Sequence, residues 1–257
     1  MAFSFGGANG AGRVNVGQAA SLDDINTGTV LAWVYPTGTS SVGVIYWKGP
    51  SSGAGRQLFQ ILTTPALNVI RSRATTNLIA TAATANFSAW GLNKWLLVGG
   101  VWDTAGVAAD QRLYVGDLAT AAAQPSTYSA QNAGAGGNST NDTNDALIGN
   151  NPGFANGFVG RIAVVAIWSA VLTAAQIASW QWNPRPRVDN LLAAGYWECG
   201  LDPWGATSVP DMSGNGNTGT PTSVTVEEHA PIWRFLAARQ PRHPDRRMRP
   251  LHLRRVG

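Results

Sequence analysis

The segment Gly157 to Trp182, GFVGRIAVVAIWSAVLTAAQIASWQW, sets the tightest limit on the fold. From Phe158 to Trp168 nearly every residue is apolar and many are β-branched, with only Gly160 and Arg161 interrupting. A run without polar alternation leaves no side for water, so it predicts a strand covered on both faces in the middle of a sheet. Thr173 followed three residues later by Gln176 forms a capping box, in which each side chain satisfies a backbone N–H left free at a helix start. About two helical turns fit before Pro184 and Pro186 stop the helix. No comparable helix signal precedes it, so this helix reads as a cover on an antiparallel sheet and not as a crossover between parallel strands.

The rest of the chain is a succession of short strand patterns. Phe3 and Phe5, then Val14 and Val16, alternate with small or polar residues on either side of the Gly6 to Gly12 turn cluster. Further strands are predicted at Thr29 to Tyr35, Val42 to Lys48, Gln57 to Leu62, Leu67 to Arg71, Leu78 to Ala82, Trp95 to Trp102, Arg112 to Val115 and Ala146 to Gly149. Turn signals at intervals of about 8 to 12 residues are the pattern of an all-β sandwich. Ala119 to Asn144, poor in large apolar residues, reads as a long exposed loop with one weak strand near Tyr128.

Several of these patterns together carry a resemblance. Phe3-Ser4-Phe5, Val14-Asn15-Val16, Leu31-Ala32-Trp33-Val34-Tyr35-Pro36, Asn93-Lys94-Trp95, Trp102-Asp103, Leu113-Tyr114-Val115, Leu147-Ile148-Gly149-Asn150 and the closing strand–helix unit follow one another in order. Over residues 1–182 the chain resembles the laminin-G-like, concanavalin A-like lectin/glucanase jelly rolls. The resemblance implies a sandwich of two curved antiparallel sheets that binds glycans or protein surfaces, with loop-borne calcium in some members. The strand that in many members reads Gly-x-Ile-Asp-Glu-Val here reads Gly160-Arg161-Ile162-Ala163-Val164-Val165, without the acidic pair.

Residues 191–220 resemble the stretch that usually opens such a domain, yet they follow the helix. The expectation is that Ala194 to Glu198 and Thr218 to Val226 add closing strands to one domain spanning residues 1–228, since a second copy needs about 150 further residues. Residues 229–257 then form an irregular arm. They hold eight arginines against the single acid Asp245, a local charge of +7, while the remainder carries −3. The basicity is thus a property of the arm, with Arg234, Arg239, Arg242, Arg246 and Arg247 expected to dock on a partner.

Catalytic patterns are missing from the sequence. Retaining glycosidases place two carboxyls about 5 Å apart, but the chain has only Glu198, Glu227 and Glu228, and no array of alternating acids. His229, His243 and His252 all lie in the last 29 residues and read as solvated tail residues, so no nucleophile–His–acid triad is expected in the body. A lone Cys199 excludes an internal disulfide and, with no clustered His, a zinc site. The expected protein is not an enzyme.

Calcium takes six to eight oxygen ligands. Asp142 and Asp145, with Asn141 and Asn144 between and beside them, are the candidate metal residues, and Trp102, Asp103, Asn150 and Asn151 the candidate ligand-binding residues; Asn and Asp equally form turns through their own backbone. No cofactor is expected to be required. Trp33, Trp95, Trp102 and Trp168 lie in apolar strands and read first as core, whereas Trp47, Trp90, Trp180, Trp182, Trp204 and Trp233 lie nearer turns or ends.

Charged residues make up 12% of the chain, against about 25% in an average soluble domain. The weakly charged Gly/Asn/Thr-rich composition suits an exterior surface. The amino terminus lacks a basic segment followed by an apolar one, so no secretory signal is read, and no apolar window of about 18 residues predicts membrane insertion. These features together predict a non-catalytic surface or structural protein of a phage virion, a capsid decoration or tail-associated component with virion proteins or surface glycans as partners and a homo-oligomeric state such as a trimer. The alternative is an extracellular lectin-like adhesion module. The arm lacks the interleaved aromatics that stack on bases, so direct nucleic-acid binding is not expected.

Overall fold

In the computed structural model the described residues are 1–6, 10–51, 55–64, 66–82, 90–200 and 207–233. The fold is the predicted jelly-roll sandwich. One sheet has seven strands: β1 (Ala2–Ser4), β3 (Thr27–Pro36), β8 (Leu96–Asp103), β9 (Arg112–Asp117), β12 (Gly160–Trp168), β15 (Gly195–Glu198) and β17 (Thr225–Glu227). The other has eight: β2 (Arg13–Gly17), β4 (Gly43–Lys48), β5 (Gln57–Ile61), β6 (Leu67–Arg71), β7 (Leu78–Ala82), β10 (Tyr128–Asn132), β11 (Ala146–Ile148) and β16 (Thr220–Thr222). A hairpin of β13 (Arg187–Val188) and β14 (Leu191–Leu192) follows the helix α1 (Ala174–Trp182).

Strand β12 is the central member, as its composition requires. One edge pairs with β3 along its whole length; the other takes β1 at Arg161 and Ile162, then β15 from Val164 to Ile167. A bulge at Ala163 resets the alternation of faces. Ile162, Val165 and Ile167 enter the core between the sheets, while Ala163, Val164, Ala166 and Trp168 join a second apolar layer on the outer side. Gly160 opens the strand at φ 137°, a conformation that disfavours any side chain, and a Cβ there would overlap the Tyr35 carbonyl.

The helix covers that outer layer. Thr173 Oγ1 accepts from Gln176 N at 3.2 Å and Gln176 Oε1 accepts from Thr173 N at 2.9 Å, the predicted capping box. Trp180 meets Trp168 edge to face at 5.9 Å and Tyr196 at 6.5 Å, which joins helix, β12 and β15. Gln181 is buried and bonded to the backbone of Asp117, Thr120 and Ala122, so the helix also fixes the chain leaving β9.

The segment Ala119 to Asn144 is mostly exposed, with β10 as the strand expected near Tyr128, and is pinned by bridges at Ala123, Ala135 and Asn138 and by the buried Asn141. One expectation changes. His229 is not a solvated tail residue. Its ring stacks on Trp95 at 6.4 Å, and burial pushes its pKa down to about 4. The neighbouring Ala230 and Ile232 are buried in the outer layer of the seven-stranded sheet. His243, His252, Trp204 and the arm arginines Arg234, Arg239, Arg242, Arg246 and Arg247 lie outside the described residues. Among the described residues no helix is long and apolar enough to cross a membrane.

Candidate functional site

Strand alternation on β2 builds the site. Val14 and Val16 point into the core, which leaves Arg13 and Asn15 on the outer face of the eight-stranded sheet. Strand β16 sets Thr222 opposite Arg13 and Thr220 opposite Asn15, on that same face. On the other side of β2, Leu147 of β11 stands opposite Asn15.

Two clefts open here and share Arg13 as their common wall. One, of about 500 Å³, runs past Gln18, Ser51, Asn144, Asp145 and Pro152. The other, of about 410 Å³, is lined by Asn15, Thr218, Thr220 and Thr222. The Arg13 guanidinium carbon lies 4.1 Å from the centroid of the Phe154 ring, a cation–π contact. Asn15 Nδ2 donates to Asp145 Oδ2 at 3.0 Å, and its Oδ1 accepts from Gly17 N at 2.8 Å. Gln18 Nε2 donates to the Thr143 carbonyl at 3.0 Å. The clefts therefore present a guanidinium, a carboxylate, amides and hydroxyls beside a partly exposed aromatic ring. Such a mixture offers hydrogen-bonding groups next to an apolar face, and among the described lining residues no nucleophile–base pair stands.

The candidate residues read from sequence are dispersed. Trp102 is 1% exposed, within the core between the sheets, and its indole N–H donates to the Ile25 carbonyl, so its ring is not a stacking platform. Asp103 accepts from Thr27 Oγ1 and from Ala105 N at 3.0 Å each, tying down the turn after β8. Asn150 and Asn151 are buried and organise the loop that carries Pro152 and Phe154. Asn150 Nδ2 donates to the Gly10 and Gly12 carbonyls, and the side-chain oxygens of both residues accept amides between Asn151 and Asn156. Asp142 is exposed, its backbone N–H facing Thr140 Oγ1, and Asp145 alone reaches the cleft. Asp142 and Asp145 give two carboxylates in one loop, and among the described residues no group of three or more His, Cys, Asp or Glu stands together.

Arg13, Asn15, Gln18, Phe154, Thr220 and Thr222 escaped the sequence reading. The Val14/Val16 alternation carried the signal for Arg13 and Asn15. The pairing with β16, about two hundred residues later, carried none.

Glu198 is buried under the seven-stranded sheet's outer layer, where its carboxylate accepts from Tyr196 Oη at 2.9 Å. Burial raises its pKa, and the same burial raises the Tyr196 phenol's. Glu227 and Glu228 are exposed, far from any such setting.

The fold is similar to that of a protein from Bacteroides ovatus described as carbohydrate binding, with 17% identity and a TM-score of 0.58 over 89% of this chain; the chain spans 61% of that protein's length. The heptameric SAP-like pentraxin of Limulus polyphemus aligns at 16% identity and a TM-score of 0.48, covering 76% of this chain and 92% of its own. The enzymatically active domain of tailspike protein 2 from bacteriophage CBA120 aligns at 16% identity and a TM-score of 0.44, over 66% of this chain and 26% of its own. No curated protein matches the sequence. A family profile described as the concanavalin A-like lectin/glucanases superfamily matches residues 7–178. That span is more than half of the chain and holds every strand from β2 to β12, so the chain belongs to the concanavalin A-like lectin/glucanases superfamily.

Proposed function

We propose that the chain is a non-catalytic binding module that takes a glycan in the twin clefts around Arg13. The observation that carries this is the shared wall. Arg13 separates two sugar-sized clefts, with Asp145, Asn144 and Gln18 lining one side and Asn15, Thr220 and Thr222 the other. A ligand with two adjacent residues would bridge Arg13. The test is binding of the full chain to a glycan array, with Arg13→Ala and Asn15→Ala as controls. Retained binding in both variants would remove the clefts from the account, and hydrolysis of a bound glycan would remove the non-catalytic reading. Calcium is not required in this proposal, so a chelator leaves binding unchanged.

The setting we infer is the surface of a phage virion, as a capsid decoration or tail-associated component that self-associates, a trimer being the form to look for. Support comes from the separation of charge and cleft. The basic arm, with its local +7, follows Ala230 and Ile232, which are buried on the outer side of the seven-stranded sheet, away from the clefts on the outer side of the eight-stranded one. Docking through the arm on an acidic partner would leave the clefts open. Co-sedimentation with particles that is lost on removing residues 234–257 supports this setting; unchanged co-sedimentation overturns it.

A further inference from the structure

The ends of β4, β5 and β6 bring Lys48, Gln57 and Arg71 into one row, with Gln57 the register partner of both others. Gln57 shares a face with Phe59 and Ile61, and Arg71 with Leu67 and Val69, so the row points into the space between the sheets. All three side chains are buried. Tyr46, two residues before Lys48, is buried on the same face, where burial keeps its phenol neutral with Arg71 and Asp23 in electrostatic reach.

Lys48 is fully employed. Its Nζ lies 2.8 Å from Asp23 Oδ1 and donates to the Asn144 carbonyl at 2.8 Å. Arg71 is employed by half. Its Nη2 donates to Asn26 Oδ1 at 3.1 Å and the Ser139 carbonyl at 2.7 Å, and stands 3.5 Å from Asp24 Oδ1. Its Nε and Nη1 are buried with no protein partner, as are Gln57 Nε2, Gln57 Oε1 and Tyr46 Oη. Asp24 does not fill the gap, because its Oδ1 already accepts from Asn141 N and its Oδ2 from Thr140 Oγ1, both at 2.9 Å.

Buried polar atoms almost always have partners, and several orphans from neighbouring strands imply an occupant. The orphans here are mostly donors: two guanidinium nitrogens, an amide nitrogen and a phenol stand against the Gln57 amide oxygen and Asp23 Oδ1, and the latter is ion-paired with Lys48 Nζ at 2.8 Å. A cation ringed by neutral donors and shut off from solvent selects a small negative ion. Asp23 is held by Lys48, and Asp24, its side chain 41% exposed, stands 3.5 Å from Arg71 Nη2 only, so the buried Nε–Nη1 edge of the guanidinium is left for an occupant of one charge.

We propose that this cluster of buried groups binds a small monovalent inorganic anion of the halide type, which accepts from Arg71 Nε and Nη1, Gln57 Nε2 and Tyr46 Oη. The ion links β4, β5 and β6 beneath the rim loops that carry Asp23, Asp24 and Asn144. Because it binds only the folded chain, it stabilises by mass action.

The test is thermal unfolding of the full chain in sodium chloride or bromide against sodium gluconate at equal ionic strength, paired with a crystal structure in bromide. The expected result is a midpoint that rises and saturates with halide, a rise that vanishes in Gln57→Leu, and an anomalous bromide peak within hydrogen-bond reach of Arg71 Nε and Gln57 Nε2. Equal midpoints in halide and gluconate, or no bromide beside Arg71 Nε and Gln57 Nε2 in bromide crystals, would overturn the proposal. Should Gln57→Leu fail to fold, the bromide map of the unaltered protein decides.

Discussion

Arg13 of β2 and Phe154, in the loop that leaves the neighbouring strand β11, come together with the guanidinium 4.1 Å from the ring centroid, although 141 positions separate them. The contact sets the Arg13 head group at the boundary between the two clefts, so it holds the shape of the surface as well as its charge.

Replacing Arg13 with Ala is expected to weaken glycan binding by at least about tenfold, in line with the loss of one charged hydrogen bond of about 1.5–3 kcal/mol. The fold should barely notice, since an exposed cation–π contact contributes about 0.5–1 kcal/mol. Isothermal titration alongside calorimetric unfolding separates the two effects; equal losses in both would mean that Arg13 serves the fold alone.

Thr173→Ala removes the helix cap and should cost about 1 kcal/mol, which in a protein of this size lowers Tm by about 2–4 °C. Trp180→Ala should cost more, about 3–5 kcal/mol, because it empties the layer shared by β12, β15 and the helix. Urea unfolding of both variants checks the order, and a Thr173 variant worse than the Trp180 one would contradict the account of α1 as a cover.

His229 predicts a pH response. Its folded pKa of about 4 lies below the ordinary 6.5, because burial against Trp95 disfavours the charged ring. Its contribution is therefore complete above pH 6.5 and is lost as pH falls through 4. His229→Phe keeps the stacked ring without the proton site, so between pH 7 and 4 it should lose less stability than the unaltered protein. Parallel denaturation curves for the two across that window would show that His229 does not titrate with unfolding.

Limited proteolysis tests how the segment after the helix relates to what precedes it. Strand β15 pairs with β12, β16 with β2, and β17 with β1. If residues 1–228 form one domain, cleavage between Asn183 and Asn190 should release no stable fragment 1–182. A folded fragment of that length would break the single-domain proposal.

The sandwich was legible because its central strand leaves little choice. The run from Phe158 to Trp168 is apolar on both sides, and only a mid-sheet position under a cover satisfies it. The capping box of Thr173 and Gln176 was equally local and equally readable. The site was not, for two reasons. Trp102, read first as core and also as a ligand-binding candidate beside Asp103, is core: β8 lies between β3 and β9, and the face that carries Trp102 is the core face. Asn150 and Asn151 carry the composition of a binding loop and spend their amides on backbone instead. The clefts depend on β16 joining β2, a long-range pairing that no local pattern announces.

The antiparallel ladder between β1 and β17 sets Ala2 opposite Glu227 and Ser4 opposite Thr225. Tension applied at Met1 and Glu228 therefore loads that ladder from one end, opening its bonds in succession like a zip instead of shearing them together. Strand β17 would peel away first, while β1 stays anchored on β12. Under mechanical load the module would yield early at this seam and keep its clefts intact, behaving as an extensible joint before it behaves as a broken one.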